Sequence, residues 1–202
     1  MIALNANYPK AYLGLGLSNL AMGNTAEARA AYEKLNELGP RGASMAAAGI
    51  SDVAAYEGRF EDAIRILEAQ LEAEAKSKQA GHRTPNKRIA LAQSFLALGR
   101  TADATAAVDE AVAGAKEDEV LYLAAIVFQR LGRDFKARAL AGELATRFGP
   151  EPQVLTKLVE AEIQLARNET RAAADTFQSA QKISDTWLGR FGLGRALLAL
   201  NA

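Results

Sequence analysis

Five short turns recur at a nearly constant interval along this chain: Gly23-Asn24, Gly58-Arg59, Gly99-Arg100, Gly132-Arg133 and Asn168-Glu169. The intervals are 35, 41, 33 and 36 residues. A repeat of that length marks stacked supersecondary units, none of which buries its apolar face alone. The segments between turns carry apolar residues at helical spacing, as at Phe60, Ile64, Leu67 and Leu71. Asn168 stands where the other turns have glycine, and asparagine tolerates left-handed backbone next best. Half of the 202 residues are apolar but only 6% are aromatic, and alanine is abundant. That mixture suits closely approaching helices and argues against a β-sandwich.

The stretch from Ala11 to Pro40 shows the unit most fully. Tyr12 is followed by Leu15-Gly16, the turn at Gly23, then Ala28 and, four residues on, Tyr32. Gly16 and Ala28 are small where two helices must meet, and Tyr12, Leu15 and Tyr32 fill the space between neighbours. This pattern resembles the tetratricopeptide repeat, with Tyr12 in place of its tryptophan and Asn19 in place of its second aromatic. Weaker copies follow: Ile50-Ser51 with Ala63 and Leu67; Leu91-Ala92 with Phe95, Ala104 and Val108; Ala124-Ala125 with Phe128, Ala137 and Ala141. A fifth has Ala161, Ala173, Phe177 and Ala180, with Glu160 where leucine is expected. The resemblance implies an all-α fold, a right-handed α-solenoid of tandem helical hairpins. Repeats are expected near 9–40, 43–78, 85–116, 118–149 and 152–184, with an unpaired last helix at 186–202, all in one domain spanning 1–202.

Local signals refine the boundaries. Pro40 is expected to stop the second helix of the first unit. The stretch QAGHRTPNK reads as a loop, with Thr84 as N-cap and Pro85 at the first helical position. Asn201 falls where another turn would begin, and Ala3–Tyr8 read as the tail of a preceding helix. The chain therefore reads as a piece of a longer protein, and its general texture resembles the repeat regions attached to larger bacterial signalling proteins.

Composition bounds the function. Lysine plus arginine equals aspartate plus glutamate, 24 each, without the basic excess of a nucleic-acid binder. There is no cysteine, hence no disulfide and no thiolate metal site, as fits a cytoplasmic protein. No apolar run is long enough for a membrane span. His82, the only histidine, sits in the polar loop with no carboxylate near it in sequence, so it reads as a surface residue. Gly14, Gly16 and Gly23 follow no strand and read as helix packing plus a turn, not a dinucleotide fingerprint. Arg59, Arg100 and Arg133 recur after the turn glycines, either as solvated turn residues or as a ladder for an anionic partner. No nucleophile-and-base constellation appears, and neither an enzyme nor a cofactor is expected.

Tetratricopeptide arrays bind partners on the face lined by the first helix of each pair. By that resemblance the groove residues are Leu13, Leu17, Asp52, Tyr56, Gln93, Tyr122, Ile126, Gln129, Arg130, Glu162 and Arg195. Leu13 and Leu17 replace two of the polar residues with which some members grip a carboxylate, so the groove reads as apolar with isolated polar anchors. The opposing reading is that tight curvature buries these side chains internally. The expected function is a scaffold that binds a protein or peptide; the alternative is a regulatory module that senses a ligand or peptide within a signalling enzyme. Trp187, Phe191, Leu193, Leu197 and Leu200 are many apolar residues for a solvated last helix, which predicts weak homodimerisation through it.

Overall fold

The computed structural model describes residues 8–77, 84–113 and 115–201. Among them lie eleven α-helices and no strand: α1 (Pro9–Ala21), α2 (Thr25–Glu33), α3 (Gly39–Tyr56), α4 (Phe60–Lys76), α5 (Thr84–Ala97), α6 (Thr101–Val112), α7 (Asp118–Arg130), α8 (Asp134–Ala145), α9 (Pro150–Ala166), α10 (Thr170–Ile183) and α11 (Trp187–Leu200). A short 3-10 helix, Lys34–Leu38, continues α2. No helix among the described residues is long and apolar enough to cross a membrane.

The five turns share one geometry. Gly23, Gly58, Gly99 and Gly132 have φ between 70° and 79°, and Asn168 has φ 60°. In each, the N–H after that residue donates to the carbonyl five residues back: Asn24 to Asn19, Arg59 to Ala54, Arg100 to Phe95, Arg133 to Phe128 and Glu169 to Gln164, at 2.8–2.9 Å. This is the Schellman ending, in which a left-handed residue lets the last helical carbonyls be satisfied before the chain reverses. Sequence and structure agree here because the turn needs a residue that bears positive φ cheaply.

Three expectations are corrected. Pro40 lies in the first turn of α3 and does not close the unit; the 3-10 helix and Gly39, at φ 79°, make that break. Proline is as well suited to open a helix as to stop one, since its missing N–H is one the first turn leaves unpaired anyway. Thr84 is the first residue of α5, and its hydroxyl donates to the Glu74 carboxylate at 3.0 Å. Asn201, at φ −100°, is not left-handed. His82 and the stretch Ala3–Asn7 lie outside the described residues.

The chain forms two compact units, Met1–Ala107 and Val108–Ala202, with the boundary inside α6. In the first, Ala28, Tyr32, Leu35, Met45, Ala46 and Val53 form a buried cluster on which Tyr12, Leu13, Leu20 and Ile50 pack. The Tyr32 ring is clasped by two glycines: a Cβ would lie 2.3 Å from it on Gly16 and 2.4 Å from it on Gly49. The second unit has Phe128, Leu144, Leu158, Ile163 and Phe177 fully buried. There Phe177 meets Gly192, whose added Cβ would lie 2.3 Å from the ring. In both, a large ring on the second helix of one hairpin fills the gap left by a glycine on the first helix of the next.

Candidate functional site

Short turns make successive helices of the first unit run antiparallel, so α1 and α3 run parallel, and the Tyr32 ring between Gly16 and Gly49 sets their register. Beside that clasp α1 and α3 wall a cleft of about 780 Å³. Lys10, Leu13 and Leu17 contribute from α1, and Arg41, Met45, Ala48 and Asp52 from one face of α3. The size falls within the usual range for a binding cleft, and the floor is mostly apolar.

The polar groups of this cleft are satisfied to different degrees, Ser44 being hydrogen-bonded and the Tyr32 hydroxyl not. Tyr32 is 1% exposed, and its hydroxyl is buried without a hydrogen bond among the described residues. Burial, reinforced by the charge of Asp52, pushes its phenol up to about 12. Asp52 reaches solvent at the rim, but the protein around it in the concavity strips water from the carboxyl and pushes it up to about 6. A carboxylate with a counter-ion moves the other way. Lys10 and Arg41 are exposed near the N-terminal ends of their helices.

Behind the wall, a buried polar cluster joins α3, α4 and α5. Lys87 is 2% exposed and Glu74 9% exposed. The Lys87 ammonium donates to the Glu74 carboxylate and to Ser44 Oγ, each at 2.6 Å, and Ser44 donates to Glu74 at 2.8 Å. Burial holds Lys87 below its ordinary value. Burial pushes Glu74 up, but hydrogen bonds from Lys87, Gln70 and Ser44 outweigh it and leave the carboxyl below its ordinary range. Ser44 also lines the cleft, so the cluster fixes one of its walls. The sequence offers no signal for it, because the partners of Lys87 lie 13 and 43 residues away.

Of the expected groove residues, the structure brings Leu13, Leu17 and Asp52 together in this cleft. Tyr56 is exposed beside the Gly23 turn, and Gln93 is exposed on α5. In the second unit Tyr122 and Ile126 are 8% and 9% exposed, because α7 packs on both α8 and α9. Arg195 of α11 donates to Glu162 of α9 at 2.8 Å and lies over the Phe191 ring. Burial first, then the Glu162 charge, pushes Tyr122 up to about 12, against the pull of Arg130 and Arg195. Gln129 is half-buried and Arg130 exposed. Arg59 pairs with Glu57 and Asp62, and Arg100 donates to Asp103 at 2.7 Å, so local carboxylates take up two rungs of the arginine ladder. On α11, Trp187 is 74% exposed, with Phe191, Leu197 and Leu198 also open to solvent.

The model of the tetratricopeptide repeat matches residues 10–38, the hairpin that supplies α1 and the Tyr32 ring. The chain carries a tetratricopeptide repeat and has the fold built from such repeats. The tetratricopeptide fold is also what structural comparison finds. Yeast Tom70 superposes over 98% of this chain with a TM-score of 0.67 at 18% identity. The Cut9–Hcn1 hetero-tetramer of the APC/C superposes over 100% with a TM-score of 0.62 at 16% identity. The chain spans 41% and 38% of the lengths of the chains it matches in those two structures. Comparison with curated proteins gives no match.

Proposed function

We propose that this chain is a protein-binding tetratricopeptide module, not an enzyme, and that a peptide segment of its partner lies in the cleft between α1 and α3. The observation that carries the reading is an open, mostly apolar cleft with the charged side chains of Lys10, Arg41 and Asp52 exposed along it. Such a cleft, apolar with a few polar groups at its edges, is the usual form of a binding site. The tetratricopeptide fold supports the reading, as does the assembly named in the Cut9–Hcn1 structure. Selection of peptides from a displayed library tests it. Leu17 is 57% exposed, so Leu17→Arg alters the cleft without emptying the core. Selected peptides are expected to lose binding to Leu17→Arg while its thermal unfolding stays at the parent value; undiminished binding overturns the reading. The open apolar face of α11 supports weak self-association through that helix. Light scattering across a concentration series is expected to show it, and Leu197→Glu to abolish it.

A further inference from the structure

The charges along the cleft are segregated. Lys10 and Arg41 stand at the end where α1 and α3 begin. Asp52 stands toward the other end of α3, one helical turn past the Gly49 that clasps Tyr32. Arg41 and Asp52 are separated by eleven residues of α3, roughly 16 Å along the axis at 1.5 Å per residue. Between them the wall is Met45, Ala48 and, from α1, Leu13 and Leu17. The helix dipoles strengthen the same polarity, positive where the helices begin.

We propose that the cleft selects an extended partner segment with an acidic residue at one end and a lysine or arginine about five residues away, the acid on Lys10 and Arg41 and the base on Asp52. This rests on the reading of the cleft as a peptide site and adds its specificity. Five residues of extended chain cover about 16 Å, which matches the separation of the charges. A lysine ammonium has three donors. One reaches the Asp52 carboxylate at the open rim of the cleft, and the others stay in water. The apolar residues between the two charges cover the leucines and Met45. A segment acidic at both ends places a carboxylate against Asp52, and one basic at both ends places a cation against Lys10 and Arg41. Both are disfavoured by like-charge juxtaposition.

Fluorescence anisotropy with labelled hexapeptides tests this. The probe acetyl-Glu-Leu-Ala-Ala-Leu-Lys-amide is compared with versions carrying Glu at both ends, Lys at both ends, or Gln and norleucine in place of the charges. The mixed-charge peptide is expected to bind about tenfold more tightly than any of the three. Asp52→Asn is expected to weaken it several-fold while leaving the norleucine peptide unchanged, and Arg41→Glu to act on the acidic end alone. Equal affinity for charged and neutral peptides, with binding still lost in Leu17→Arg, overturns the charge pattern and leaves the cleft a peptide site. Failure of all four peptides while library-selected peptides bind through Leu17 overturns it as well. Failure of the library peptides removes the earlier reading instead.

Discussion

Tyr32 in the first unit and Phe177 in the second occupy the same position of their repeats, and each ring rests on a glycine of the next helix, Gly49 or Gly192. They differ by one oxygen. Phe177 leaves nothing to satisfy, whereas the Tyr32 hydroxyl is buried and alone. The positions around them differ in the same sense. Glu162 and Arg195 of the second unit correspond in register to Leu17 and Asp52 of the first, and there the two charges neutralise each other at 2.8 Å. The packing lock is thus common to both units, while only the second closes that register with an ion pair; among the described residues each unit keeps one buried side-chain atom without a hydrogen bond, the Tyr32 hydroxyl in the first and Gln164 Oε1 in the second.

The largest effect is expected from the cluster that backs the open cleft. Lys87→Met leaves the Glu74 carboxylate buried without its counter-charge and should cost about 3–5 kcal/mol in urea unfolding. Adding Glu74→Leu should recover most of that loss, because an apolar pair of similar volume has no charge to desolvate. A loss that the second substitution does not repair would mean the cluster holds the wall by shape rather than charge.

The glycine clasps come next. Gly49→Ala and Gly192→Ala each force a methyl into a ring at 2.4 or 2.3 Å, and each should cost ~1–3 kcal/mol. Similar losses in the two variants are expected if the lock is the same device twice, as thermal unfolding would show. An indifferent Gly49→Ala would break the comparison by showing that the Tyr32 ring moves freely.

How much of this was legible in the sequence follows from what each feature requires. The turns were legible because positive φ selects glycine or asparagine, and that choice is visible in one residue. The ring-on-glycine lock was legible in part: Gly16 and Tyr32 stood out at their repeat positions, but Gly49 as a second jaw needed the register of α3 against α1. The buried triad was not legible, because Lys87 is charged and lies near a proline, and only the fold carries it to Glu74 and Ser44. Of the groove residues, Leu13 and Leu17 on α1 and Asp52 on α3 share one cleft. Tyr122 and Ile126 are buried by two flanking helices that no local pattern announces. The missing partner of the Tyr32 hydroxyl has no sequence signature at all.

Exchanging the distinguishing oxygen sharpens the comparison further. Tyr32→Phe removes a buried unsatisfied group and should raise stability by about 1 kcal/mol, whereas Phe177→Tyr should lower it by a similar amount, both read by chemical denaturation. A destabilised Tyr32→Phe would show that the hydroxyl is already satisfied in the free protein.

The smallest effect concerns Asp52. Its carboxyl titrates near 6 in the folded protein and near its ordinary value of 3.8 when unfolded. The folded state therefore binds more protons between those values, and stability should fall as pH rises from about 4 to 6. Of the other titratable groups that line the cleft, Lys10 and Arg41 stand toward its opposite end and Tyr32 stays protonated in that range. Asp52→Asn should flatten this part of the pH profile measured by thermal unfolding. An unchanged profile would show that Asp52 is hydrated like any surface carboxylate.

Trp187, the chain's single tryptophan, stands largely in solvent on α11. Its emission therefore starts red-shifted in the native protein and changes little on unfolding, and what change occurs reports on the second unit. Four of the five tyrosines, Tyr8, Tyr12, Tyr32 and Tyr56, belong to the first unit, and Tyr8 and Tyr32 border the cleft. The two units therefore differ in their native chromophores: an unlabelled, non-aromatic ligand in the cleft would register mainly in tyrosine emission while the tryptophan signal stayed still.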